Sequence, residues 1–247
     1  MADRHDEDRG SVLPLRIDAD VLARSLQALR DADLGAQPVE DAVVAAVAGA
    51  QRVFAVTGAG LMLLDDESVL RYAAWTDPGA RALERAQEVA GQGPCVDAFV
   101  FDRVVATADL MSDERWPRLN EALEEERERS VLGIPTHVGG ITVGSLNLFA
   151  DLGHEWDESE LRALEAYNEI LEGVLSTAVI AHRGEAIADQ LQRALDSRVP
   201  IERAVGVLME RDRLTAVEAF NALRSQARRR RCRVADMALE VLGENED

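Results

Sequence analysis

The amino-acid sequence predicts an α+β fold in two parts: an antiparallel sheet with flanking helices, then a helical or coiled-coil connector and a C-terminal bundle of three short helices. Three observations carry that prediction. Before residue 155 the apolar pattern switches repeatedly between the helical and the strand period. A Gly139-Gly140 pair parts two apolar runs, which is a hairpin signal. The charge then reverses along the chain: residues 1–196 carry −20, whereas residues 197–243 hold ten Arg against six acids and carry +4.

Residues 1–12 are polar and charged and are expected to be disordered. Residues 13–37 hold an N-terminal helix, with Val21, Leu22, Leu26 and Leu29 on one face, and a break from Leu34 to Pro38. A second helix runs to Phe54 on the stripe Val43, Val47, Ala50 and Phe54. Gly60 to Leu64 reads as a buried strand and Val69 to Trp75 as its return. Asp77 and Pro78 are a cap and a first-turn proline, and their helix stops before a turn from Gly91 to Pro94. Val104 to Ala106 is a short strand, Trp116-Pro117 opens a helix rich in Glu, and the hairpin strands run Val131–His137 and Ile141–Phe149. Asp157 and Glu160 have capping-box spacing at the start of a long helix. Together these elements define a domain over 38–180.

A helical linker is expected over 181–196. Leu161, Leu164, Leu171 and Leu175 sit near heptad positions, and Ile180, Ile187, Ala194 and Ile201 recur every seven residues. Two registers joined near Gly184 fit a two-stranded coil or a helix packed on its own domain, with Asn168 and His182 interrupting the seam. In the last module, 197–243, Ser197 reads as a cap with Pro200 in the first turn. That helix should bury Ile201, Ala204, Val205, Leu208 and Met209. Thr215 and Glu218 form a capping box for a helix with the face Ala219, Phe220, Leu223 and Ala227. Val234, Met237, Ala238 and Val241 belong to the third helix, which Gly243 ends.

Composition excludes several functions. No run of eighteen apolar residues exists, so no membrane helix is expected, and the acidic start lacks the apolar core of a secretory signal. The expected location is cytoplasmic. Cys95 and Cys232 are too few for a disulfide framework or a zinc site, and four scattered His form no metal cluster. No nucleophile elbow, phosphate loop or paired-carboxylate motif is present, so neither an enzyme nor a cofactor is expected. A net charge of −19 leaves only a local nucleic-acid contact, in the basic module.

The module carries Ile201-Glu-Arg-Ala-Val-Gly-Val-Leu-Met209, Glu218-Ala-Phe220, Leu223-Arg224, Ala227 and Val234-Ala-Asp-Met-Ala238. It resembles the ANTAR domain. That resemblance implies a three-helix bundle extended from a coiled coil, which binds RNA stem-loops as a dimer to prevent transcription termination. The family often reads Ala-Lys-Gly in its first helix, with the lysine implicated in RNA contact. This chain reads Ala204-Val205-Gly206 and has no lysine at all. The middle of the chain resembles a GAF domain of the kind found beside ANTAR. The carrying residues are Gly93 to Ala98, Asp113 to Pro117, Ser130 to Pro135 and Gly144 to Leu148. This implies a sensor fold, which binds many different small-molecule effectors or none.

The candidate RNA-binding residues are Arg203, Ala204, Gly206, Arg224, Arg228, Arg229, Arg230, Arg231 and Arg233. Arg suits phosphate because its planar fork donates two hydrogen bonds and its flat face stacks on an unpaired base. Arg224, Arg228 and Arg231 share a helical face. A solvated basic face is the plainer reading. A DNA-binding regulator, or a dimerisation module without nucleic acid, remains an alternative. Trp75, Cys95, Phe99, Trp116 and His137 are the candidate ligand-pocket residues, with core packing as the competing assignment.

Overall fold

The computed structural model describes residues 17–30, 38–65, 69–123, 130–181 and 186–243. The disorder expected over 1–12, the break near Gly184 and the Glu124–Glu126 run lie outside the described residues. Helix α1 spans Ala19–Arg30 and α2 spans Val39–Phe54. Asp18 caps α1 by accepting from the Asp20 and Val21 amides at 2.9 and 3.1 Å.

Among the described residues five strands form one antiparallel sheet: β1 (Gly58–Leu64), β2 (Leu70–Trp75), β3 (Val105–Thr107), β4 (Ser130–Val138) and β5 (Ile141–Ala150). Their order is β2-β1-β5-β4-β3. The predicted hairpin joins β4 to β5. Gly139 and Gly140 take φ of 59° and 78°, as a two-residue turn with two left-handed positions requires.

The sheet is covered on both faces, and β4 shows how. Thr136 donates to Asn168 of α6 (Glu158–Ala181) at 2.9 Å, so that face meets α6. A Cβ on Gly133 would lie 3.5 Å from Ala98, so the opposite face meets α4 (Pro94–Phe101). Coverage on both sides explains why β1 and most of β4 and β5 are continuously buried rather than alternating. Tyr167 of α6 donates to the Ala46 carbonyl at 2.8 Å and so fastens α6 to α2. On the edge, α3 (Pro78–Ala90) begins with Asp77 accepting from the Gly79 amide at 2.7 Å, ahead of α5 (Pro117–Ala122).

Helix α4 is absent from the sequence expectation. It is eight residues long, and Pro94, Cys95, Val96, Ala98 and Phe99 are all buried, so no one-sided stripe marks it. Its start depends on Gly93, where φ is 145° and a Cβ would sit 2.3 Å from Gln87. Gln87 accepts from the Cys95 amide at 2.9 Å and donates to its sulfur at 3.1 Å. The strand expected at Val104 to Ala106 begins and ends one residue later.

The C-terminal part holds α7 (Ala186–Asp212), α8 (Ala216–Arg230) and α9 (Val234–Gly243). Both predicted capping boxes form. Asp157 accepts from the Glu160 amide at 2.9 Å while Glu160 accepts from the Asp157 amide at 2.8 Å, and Thr215 pairs with Glu218 likewise. The predicted start at Ser197 does not. Ser197 lies inside α7, donating to the Ala194 carbonyl at 3.1 Å, and Pro200 is carried within the helix. Nor is the α7 heptad free for a partner helix, because Ile187, Ala194 and Ile201 are buried by this chain. Among the described residues no helix is long and apolar enough to cross a membrane.

Candidate nucleic-acid interface

The bundle core forms where periodicity places it. Ile201, Ala204 and Leu208 of α7 are fully buried with Ala219, Phe220, Leu223 and Ala227 of α8 and Val234, Met237, Ala238 and Val241 of α9. Ala204, named as an RNA contact, is therefore core: at 0% exposure no ligand reaches it. Met209, expected inside, is 38% exposed, and Val205 is only partly buried. Gly206 lies on the outer side of α7, where an added Cβ would meet nothing within 4 Å.

The candidate arginines divide into three groups. Arg203, Arg228, Arg229 and Arg231 face solvent, Arg229 also donating to Ser225 at 2.9 Å. Arg230 and Arg233 are exposed but engaged, by Glu240 and by both carboxylate oxygens of Asp236. Arg224 is only 6% exposed, contrary to the expected open face. Its side of α8 turns toward the sheet domain, yet Arg224, Arg228 and Arg231 do line one cleft together.

That side of α8 is a seam. The Phe220 ring packs on Phe99 of α4 at 5.9 Å between centroids, tilted 58°. Asn221 donates to the Gly91 carbonyl at 2.7 Å, and Gln190 of α7 donates to the Leu64 carbonyl at 2.9 Å. Arg198, 5% exposed, stacks its guanidinium 4.3 Å from the Phe99 centroid. Its Nε stands 2.7 Å from the Glu202 carboxylate, as an ion pair rather than an aligned hydrogen bond. Burial lowers the pKa of both Arg198 and Arg224; Glu202 opposes the first effect, while neighbouring Arg228 deepens the second. Sequence reasoning passed over Arg198, Asn221 and Gln190. Only Arg198 left a signal, as an arginine seven residues after buried Leu191.

The candidate pocket residues do not meet in one site. Trp75 is 42% exposed on edge strand β2, with Arg81 over its ring at 4.9 Å. Cys95 and Phe99 are both fully buried on α4. Trp116, 1% exposed, donates to Asp97 at 3.0 Å beneath the Arg115 guanidinium, 4.2 Å from its ring. Arg115 in turn hydrogen-bonds Asp113 and holds its pKa down at about 2, against the opposing effect of burial. The Asp113 to Pro117 motif is thus a clasp on α4.

His137 sits between two carboxylates: Nδ1 is 2.9 Å from Glu172 and Nε2 2.7 Å from Asp102. Burial alone would lower its pKa, but Glu172 and Asp102 outweigh burial and raise it. Among the described residues no group of three His, Cys, Asp or Glu could hold a metal ion.

Comparison with known proteins agrees with this division. The family model for the GAF domain matches residues 36–179, and the model for the ANTAR domain matches residues 189–242. No curated protein matches the chain. The crystal structure of the GAF domain from Acinetobacter phosphoenolpyruvate-protein phosphotransferase is similar at a TM-score of 0.52 and 18% identity, covering 67% of this chain and 96% of that one. Free methionine-R-sulfoxide reductase from Neisseria meningitidis, in complex with its substrate, gives 0.49 and 20%, covering 62% and 85%. The first likeness shows the fold of the sheet domain. With over half of its length matched by one family model, the chain belongs to the GAF family, and with its helical end matched by a second it is a GAF and ANTAR domain-containing protein.

Proposed function

We propose that this protein is a signal-responsive, RNA-binding transcription antiterminator of the cytoplasm, regulatory rather than catalytic. GAF domains are sensors and ANTAR domains are RNA-binding antiterminator modules, and this chain joins the two. The observation that carries the reading is the placement of Arg228, Arg229 and Arg231 in solvent at the end of α8, on a +4 module attached to a −20 body. Gly206 adds support. A glycine inside a helix costs about 1 kcal/mol relative to alanine, and among the described residues no neighbour requires one there. Close approach of an RNA backbone would account for it. With Val205 in place of lysine, the arginines take the phosphate contacts.

In the proposed resting state the bundle is docked through the α4–α8 seam. A ligand of the sheet domain that binds the undocked arrangement better would release it, to the extent of that difference in affinity. The chain also acts as a homodimer in this reading. Of the heptad Ile180, Ile187, Ala194 and Ile201, Ile180 alone is exposed, at 80%, and a second copy would cover it.

Fluorescence anisotropy against RNA hairpins and matched duplex DNA, over a salt series, tests the proposal. Hairpin binding should dominate, with log affinity falling by about 0.7–0.9 per log salt for each arginine engaged. The Arg228→Ala/Arg231→Ala variant should lose both affinity and slope. Preference for the duplex, or binding that ignores these arginines, refutes it.

A further inference from the structure

Where α8 and α9 approach β2 and α3, the two domains leave a cleft of about 700 Å³. That volume is in the range of small-molecule sites. Five arginines line it, Arg71, Arg224, Arg228, Arg231 and Arg233, against the carboxylates of Glu88 and Asp236. Arg71 is already paired with Asp65 and Glu88, and Arg233 with Asp236. Among the described residues Arg224, Arg228 and Arg231 have no ion pair.

Arg224 decides the matter. It is 6% exposed, and its Nε is buried without a hydrogen-bond partner. Its compensation is the Phe220 ring, 5.8 Å away, and the carboxylates of Glu88 and Asp65, neither of them in an ion pair with it. Arg228 repels it. A buried guanidinium in this position is costly unless something pairs with it. The complement is an anion with several charges, small enough to enter a cleft whose innermost donor is nearly closed to solvent. Phosphate matches the guanidinium fork in two parallel hydrogen bonds. The ten-residue α9 also starts here, with Val234 in the lining, and its amide end favours negative charge. The end of α8 opposes this less than its dipole implies, because the Ala227 and Arg228 carbonyls accept from the Arg231 and Cys232 amides.

We propose that this interdomain cleft binds a small polyphosphate anion, free pyrophosphate or the phosphate chain of a nucleotide, with Arg224 at its base and Arg228 and Arg231 at its rim. An RNA backbone can reach the rim from outside but not a base that is 6% exposed. Occupancy of the cleft does not depend on whether the bundle binds RNA. Such a ligand would tie α8 to the sheet domain across the seam.

Isothermal titration of the full-length protein with sodium pyrophosphate tests the site, with ATP as the second titrant to separate the two sources. One saturable site per chain is expected. Arg224→Met, which replaces the buried charge by an apolar side chain of similar reach, should weaken binding by at least about tenfold. Arg228→Ala/Arg231→Ala, at exposed positions that leave folding intact, should weaken it too. Arg213→Ala, on a side chain that is 82% exposed and outside the cleft, should not. Pyrophosphate and ATP binding equally places recognition in the phosphates, and tighter ATP binding extends it to the nucleoside; both support the site. Absence of saturable binding by either overturns it, as does wild-type affinity in either cleft variant. Single-stranded RNA that binds through Arg224 when pyrophosphate does not would make RNA the occupant and overturn it as well.

Discussion

The sheet domain is covered by α6 on one face and meets the bundle at α4 near the other, and the two junctions are built from opposite chemistry. Under α6 the polar groups are matched. Asn168 accepts from Thr136 and donates to the Pro135 carbonyl and to Glu172, all at 2.9 Å. Glu172 also accepts from the His137 amide at 2.7 Å. Under α8 the junction rests on two phenylalanine rings, single hydrogen bonds from Asn221 and Gln190, and two nearly buried arginines, 5% and 6% exposed: Arg198, ion-paired with Glu202, and Arg224, whose Nε has no hydrogen-bond partner among the described residues. A matched polar network fixes one geometry, whereas a buried cation without an ion pair, as at Arg224, weakens the interface that holds it. On this ground the α8 junction is the weaker of the two.

The comparison breaks most visibly at Phe99. Phe99→Ala removes a fully buried ring from α4 and should cost about 3–5 kcal/mol in urea unfolding. Loss of cooperativity between the two domains should accompany it. Asn168→Ala leaves Thr136, Pro135 and Glu172 without their partner, and should cost about 1–3 kcal/mol by the same assay. Arg224→Met should instead fall within about 1 kcal/mol of wild type or exceed it, because removing an uncompensated charge relieves the seam. A large loss there would show the two junctions to be alike.

The smallest effect concerns pH. His137 has its folded pKa raised above 6.5 through Glu172 and Asp102. Its contribution is therefore complete below 6.5 and is lost as pH rises through the raised value. Thermal unfolding of wild type should show that loss, and His137→Gln should flatten that part of the profile.

Much of this architecture follows from local sequence rules. Both capping boxes, the Gly139-Gly140 hairpin and the Asp77 cap sit where spacing puts them, because each is decided by residues within a few positions of one another. What escaped was decided at a distance. Helix α4 has no stripe because the sheet, α3 and α8 enclose it, and it starts only because Gln87 meets Gly93 and Cys95. Ser197 has the chemistry of a cap, yet α7 runs through it, docked by Gln190 and Arg198 on either side. Arg224 belongs to the right helical face but lies on the part of it that the sheet domain covers. The seam was invisible because none of its contacts is local: Phe99 and Phe220 stand far apart in the chain.

The central claim is that docking at the seam restrains RNA binding by holding the exposed arginines against a −20 body that repels RNA, and Phe99→Leu tests it most directly. The substitution lies on the sheet domain, away from the candidate RNA-binding residues of the bundle. It keeps an apolar side chain but removes the ring contact to Phe220 and the cation–π contact to Arg198. Together these are worth about 1–3 kcal/mol, or about 5- to 150-fold in the balance between docked and released bundle. Hairpin RNA affinity, measured by anisotropy at fixed salt, should rise by about that factor, with the salt slope unchanged. Unchanged or weaker affinity in a folded Phe99→Leu protein would contradict the account.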